Sequence, residues 1–220
     1  MRRFLGLTFA MWTASLTPAF AQDPVKVDPA HHKVELENED VRVLRITFAP
    51  GEKAPAHDHP NSVAVFLSEG VNRLTTDGKS TETPQKRGDV VLVTASKHTV
   101  ENVGKTRTEV ILIELKKPGS ATYKGMSLDP VKVNPKNYSV AAENEHARVI
   151  RIRAAVGDKS VVHEHPSNVS VELRDSATQK AGAVQWHPGP EKHGGDPATS
   201  TAPLDVIVVE LKSGAGAVAK

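Results

Sequence analysis

The sequence predicts an all-β protein written as two tandem copies of one small sandwich or barrel, and three observations carry that reading. DPVKVDP at 23–29 returns as DPVKVNP at 129–135, and NEDVRVLRI at 38–46 returns as NEHARVIRI at 144–152, each at an offset of 106 residues. The apolar segments are short, β-branched and bounded by Gly, Pro, Asn or Asp, the pattern of strands. Finally, EVILIELK at 109–116 comes back as DVIVVELK at 205–212, at an offset of 96, so the second copy is ten residues shorter. No window has the period of a long amphipathic helix.

In chain order, the first segment reads as a leader. Met1-Arg2-Arg3 is basic, Phe4 to Leu16 is apolar and uncharged, and Ala19-Phe20-Ala21 is a small-x-small cleavage pattern; the run is shorter than the ~20 residues of a membrane span. Residues 1–21 are therefore expected to be removed, giving an exported, periplasmic or secreted chain from Gln22, without a membrane anchor. Of 28 basic and 26 acidic residues, Arg2 and Arg3 leave with the leader, so the mature balance is 26 minus 26, or zero. A neutral, mixed-sign surface argues against nucleic acid or an anionic membrane as partner. With no cysteine, thiolate ligands and disulfide staples are excluded, and the fold must rest on a buried core. Only Phe48, Phe66, Tyr123, Tyr138 and Trp186 remain as aromatics after the leader, too few for stacking platforms.

In the first copy, 22–116, the clearest strands are Val41 to Phe48, Val63 to Leu67, Val90 to Val93 and Val110 to Leu115, and Asp77-Gly78 between Thr-rich flanks is a hairpin turn. Residues 117–128, with Pro118, Gly119, Ser120 and Gly125, form a linker. The shortened second copy is 129–212, and the Gly- and Ala-rich 213–220 is a fraying tail.

The chemistry sits on the histidines. His57 and His59 follow Gly51, and His163 and His165 follow Gly157, at the shared offset of 106. Two histidines separated by one residue on a strand project from the same face about 6.5 Å apart, half of a metal site. A third imidazole from another strand, His98 or His193, would complete a three-nitrogen face. Neutral imidazole suits Fe, Cu, Ni or Zn, whereas Mn and Mg favour carboxylate oxygen.

These residues resemble the motifs of the cupin superfamily, and the tandem arrangement resembles a secreted bicupin. The family's first motif runs G, five residues, H-x-H, three or four residues, E, six residues, G; Gly51, His57, His59 and Gly70 fall in register, with Val63 at the glutamate position. The second motif opens at Gly88 and closes on His98 and Asn102, with Thr94 and Ser96 where Pro and Gly are expected and one residue missing. In the second copy Gly157, His163 and His165 match, Val169 takes the glutamate position and Ser176 the closing glycine; its second motif runs from Gly182 through Pro188 to His193, with Pro190 and Pro197 replacing the glycine and the asparagine. The stretch between the motifs has lost the Asp77-Gly78 hairpin.

The resemblance implies two jelly-roll barrels, with metal in the first on His57, His59 and His98, and in the second on His163, His165 and His193. The metal implied is a divalent transition ion, iron ahead of Cu, Ni, Zn or Mn. A three-histidine metal also occurs in cupin dioxygenases, so a metal-dependent oxidoreductase acting on a small chelating substrate is one reading. A non-catalytic periplasmic cupin that binds a small ligand or metal is the other. Either partner is a small molecule, and the chain is a monomer or homo-oligomer. His187 is a substitute for His193, though its expected direction is outward. Asp58 and Glu164 are read as solvated charges on the opposite strand face, His31, His32 and His146 as surface residues, and Glu69 and Glu172 as conceivable acid/base groups. No Ser nucleophile elbow is present.

Overall fold

A computed structural model describes residues 22–120, 123–194 and 202–213; the leader, Pro197 and nearly all of the tail lie outside them. The first copy runs α1 (Pro24–Val27), β1 (His32–Glu37), β2 (Val41–Phe48), β3 (Lys53–His59), β4 (Ser62–Phe66), β5 (Gly70–Thr76), β6 (Lys79–Gln85), β7 (Val90–Val93), β8 (Ser96–Asn102) and β9 (Thr108–Leu115). The second runs α2 (Pro130–Val133), β10 (Tyr138–Glu143), β11 (Ala147–Ala154), β12 (His163–His165), β13 (Asn168–Glu172), β14 (Val184–His187), β15 (Glu191–His193) and β16 (Leu204–Leu211). The protein is all-β, two jelly-roll barrels in tandem.

The two helices are single turns that strand propensity conceals. In PVKV the valines favour a strand, but Asp23 accepts the Val25 N–H, Pro24 stands at the first helical turn and the Asp28 N–H closes on Pro24 O; Asp129, Pro130, Val131 and Asn134 repeat the device. A cap plus a pre-set φ outweighs β-branching over four residues.

Each barrel has a five-stranded sheet, β1-β2-β9-β4-β7 in the first and β10-β11-β16-β13-β14 in the second. The inner strands β4, β9 and β16 are buried along most of their length, on both faces, which is why they lack polar alternation. One face joins the copies: Val41, Val43, Val63, Val65, Ile111 and Ile113 pack with Val149, Val169, Val171, Ile207 and Val209 in one core. The opposite face of the first sheet, with Leu44, Ala64, Phe66, Val110 and Leu112, lines the barrel interior. Arginines stitch the seam in both directions: Arg45 donates to Gly182 O, and Arg151 to Gly88 O. Gly88 and Gly182 both have φ near +84°, the left-handed conformation that glycine adopts without Cβ strain.

The facing sheets differ. The first copy has four strands, β3-β8-β5-β6, whereas the second has β12 paired with β15 alone. Asp77 and Gly78, with φ of 50° and 73°, turn β5 into β6, as their sequence predicts. Among the described residues the second copy has no counterpart of that hairpin, the consequence of its deletion.

Candidate metal centre

Strand register assembles the histidines. In the first barrel His57 on β3 lies opposite His98 on β8; in the second His163 on β12 lies opposite His193 on β15. Alternation turns His57 and His59 inward together, at 0% and 5% exposure, with ring centroids 4.8 Å apart. The His98 ring lies 4.9 Å from His57 and 5.4 Å from His59.

A fourth imidazole stands in the same cluster. His32, read from the sequence as a surface residue, is 1% exposed, and its ring lies 4.9 Å from that of His57. One ring nitrogen each from His32, His57 and His59 falls within 4.8 Å of the others, a group that His98 does not join; in the second barrel the group is His163, His165 and His193, with the His98 counterpart in it and Tyr138 at the His32 position. Sequence reasoning misses His32 because it has no H-x-H spacing. The available signal is its position at the start of an alternating strand, at the repeat offset from Tyr138.

Hydrogen bonds fix the direction of each ring. His57 Nδ1 donates to Pro55 O at 2.7 Å, His32 Nδ1 to Asp28 O at 3.2 Å and His59 Nδ1 to Glu114 Oε1 at 2.7 Å. A carbonyl cannot donate, so Nδ1 carries the hydrogen and Nε2 offers a lone pair. The Nε2 atoms of His32 and His57 are buried without a hydrogen-bond partner, a costly state that a bound cation would relieve. Burial and repulsion from His57 push His32 down to about 4. Burial, followed by repulsion from His57 and His59, pushes His98 to about 4. Burial also lowers His57. His32, His57 and His98 are thus neutral at pH 7, the protonation state a metal requires.

Glu114 and Glu210, which end the repeated last strand and have no role in the sequence reading, are the buried carboxylates of the two sites. Burial works to raise the Glu114 carboxyl, but hydrogen bonds from His59 and Arg42 overcome it and hold it below the usual carboxylate range. Arg42 is anchored in turn on Asp23. In the second copy His165 Nδ1 meets Glu210 Oε1 at 2.7 Å, and Arg148 bridges Glu210 and Asp129. Such carboxylate–histidine pairs orient a metal ligand and raise its basicity.

The family's glutamate position needs a correction. Val63 and Val169 are fully buried in the core between the copies, facing away from the histidines. Under the longer of the two motif spacings the position falls on Ala64 and Ser170, which do line the histidine cavities. The conclusion that no carboxylate stands there holds, but for different residues.

The remaining sequence candidates divide as follows. Asp58 and Glu164 are not merely solvated: Asp58 accepts from Gln22 N at 2.7 Å, and Glu164 from Ser127 Oγ at 2.6 Å, tying the segment before each barrel to its histidine strand. His31 stacks on Phe48 with centroids 4.5 Å apart. His146 spans the seam, bonded to Asn61 at 2.9 Å. Glu69 is exposed. Glu172 lines the second cavity with an unpartnered Oε2, and burial raises its carboxyl. His187 turns inward rather than outward: it lines that cavity and meets Ser170 Oγ at 3.1 Å, outside the three-histidine group. Asn102, closing the second motif, is fully buried and donates to Phe48 O and Thr106 O, a structural plug.

The two cavities differ in kind. The first, about 150 Å³, is walled by Ile46, Phe48, Phe66, Leu74, Val100 and Leu112 around the four histidines, with no lysine, arginine or carboxylate. The second, about 210 Å³, is the more polar, with Asn168, Ser170, Glu172, Gln185 and Glu191 beside His165 and His193 as well as Ile152, Val206 and Val208. Without a β5 equivalent to cover it, His193 is exposed, whereas His98 is 8% exposed. Burial still lowers His163 and His193.

Comparison with known proteins agrees with this geometry. Residues 44–114 match the family model described as "Cupin domain", a span that includes His57, His59, His98 and Glu114. Germin-like protein subfamily 2 member 3 from Arabidopsis thaliana is 34% identical over 113 residues, 49% of this chain and 50% of that protein; the chain thus spans about half the length of that relative. AerE from Microcystis aeruginosa superposes with a TM-score of 0.62 at 15% identity, over 87% of this chain and 97% of that one. A salicylate 1,2-dioxygenase from Pseudaminobacter salicylatoxidans gives 0.54 at 11% identity, over 78% and 71%. At such identities these structures show a shared fold. Residues 44–114 thus match a cupin domain, and the motif histidines, the tandem jelly-roll barrels and these matches together support the cupin superfamily.

Proposed function

We propose that the protein is an exported bicupin whose first barrel, within residues 22–116, binds a divalent transition metal, iron ahead of Cu, Ni, Zn or Mn, through His57, His59 and His98. The second barrel, within 129–212, offers His163, His165 and His193 for another. The observation that carries the reading is the convergence of imidazoles, with the His57 Nε2 atom buried and unpartnered, at a largely apolar cavity. A metal there would act as a Lewis acid and redox centre for oxidation of a small chelating molecule. The residues of the chain do the rest: Glu114 and Pro55 hold the rings, and the apolar wall excludes water. With no cationic side chain in the lining, the substrate favoured is a small chelator with an apolar body rather than a polyanion. The dioxygenase among the structural neighbours is consistent with that chemistry.

A non-catalytic metal- or small-ligand-binding role is favoured by one observation. The cavity of about 150 Å³ is below the roughly 300 Å³ of usual small-molecule pockets. Metal analysis of untagged protein, followed by oxygen uptake with diketones, thiols and catechols, separates the two. Stoichiometric iron with substrate-dependent oxygen uptake supports the enzyme, and Cu or Zn without turnover supports the binding module. No metal under any reconstitution rejects both.

A further inference from the structure

We infer that His32 is a metal ligand of the first barrel, supplying from β1 the donor that β4 lacks at Ala64, and that the His32/Tyr138 difference makes the first barrel the tighter metal site. This rests on the metal-binding reading above and goes beyond it in naming a ligand outside both motifs and a rank order for the two sites.

The repeat makes the comparison direct. His32 opens β1 opposite Ile46, and Tyr138 opens β10 opposite Ile152, so the two residues occupy one position of one fold. In the first barrel that position presents an imidazole whose Nδ1 is tied to Asp28 O and whose Nε2 is buried and unpartnered. Its ring nitrogen lies within 4.8 Å of those of His57 and His59. Nothing else in the described cavity wall offers the His32 Nε2 atom a hydrogen-bond partner.

In the second barrel the same position presents a phenol. His163 Nδ1 donates to Val161 O, so its Nε2 is an acceptor, and Tyr138 Oη donates to it at 3.3 Å. Tyr138 therefore occupies the lone pair that His163 would offer a metal, where His32 would add one. The second barrel also leaves His193 exposed. Each barrel groups three imidazoles with ring nitrogens within 4.8 Å of one another, with His98 beside the first group and His187 beside the second; in the second group His163 is already engaged by Tyr138.

The test uses Co²⁺ alone, titrated into the mature protein against a chromophoric chelator, with the visible cobalt spectrum as a second readout. A His165→Ala background isolates the first barrel and a His59→Ala background the second. In the first, His32→Ala and His32→Tyr are expected to weaken Co²⁺ binding by at least the roughly 10- to 100-fold that even a supporting group contributes, and to change the spectrum. In the second, Tyr138→His is expected to tighten binding by a similar factor. Each exchange copies a residue that the other barrel already folds around, and circular dichroism checks the fold. Unchanged affinity and spectrum in the His32 variants, or no gain from Tyr138→His, would overturn the assignment while leaving the metal reading intact. No Co²⁺ binding by either barrel of the wild type would overturn both.

Discussion

His59 donates its Nδ1 hydrogen to Glu114 at 2.7 Å, and Glu114 is held from behind by Arg42. The first site thus has its negative charge one atom layer behind the histidines rather than among them. That charge would stabilise a metal-bound imidazole without occupying a coordination position. The same arrangement in His165, Glu210 and Arg148 marks it as part of the repeated unit.

Glu114→Gln should keep an acceptor for His59 while removing the charge. Metal affinity of the first barrel is expected to fall about 10- to 100-fold, measured by chelator competition, with the second barrel unaffected. Equal loss from both barrels would mean that they share one site.

Val63 and Ala64 are adjacent, yet their substitution should have opposite consequences. Val63→Glu places a carboxylate in the apolar seam between the barrels and is expected to destabilise the fold by several kcal/mol. Ala64→Glu points toward the histidines and should tighten metal binding, shifting preference toward Mn²⁺. Thermal unfolding and metal competition distinguish the two outcomes.

Acid should weaken the metal-free fold from the histidine cluster outward. His32 and His98 are each lowered to about 4 in the folded state, below the ordinary value near 6.5. As pH falls the unfolded chain takes up these protons first, so stability present above about 6.5 is lost progressively toward about 4. A tenfold difference in proton affinity between the folded and unfolded chain is worth roughly 1.4 kcal/mol, so the pair contributes a loss of a few kcal/mol. Urea unfolding at pH 7 and pH 5 checks it; His32→Ala should flatten the dependence.

Covering also sets kinetics. Chelator should strip metal from the second barrel faster than from the first, because His193 is exposed while β5 covers the His98 strand. Stopped-flow measurement with one barrel silenced reads the two rates.

Much of the fold and the site is legible in the sequence, for reasons particular residues make plain. H-x-H on a strand needs only alternation to be read, so His57, His59, His163 and His165 stand where their spacing puts them. The Asp77-Gly78 turn is equally local. What escapes the sequence depends on tertiary partners. His32 carries no motif and gains its role only when β1 is laid beside β2, across from His57. Glu114 reads as one charge at the end of an apolar run until His59 and Arg42 close on it. The shorter motif spacing turns Val63 toward the metal, but a one-residue change of spacing reverses the face of a strand, and in the fold Val63 packs against the second barrel instead.

The most direct measurement is X-ray absorption at the metal edge on protein loaded with one equivalent of Co²⁺ or Fe²⁺. A first shell dominated by imidazole nitrogen, with the outer-shell scattering of histidine rings, is expected, and His57→Ala should diminish it. A shell of oxygen ligands without histidine scattering, or one that His57→Ala leaves unchanged, would contradict an all-histidine centre in the first barrel.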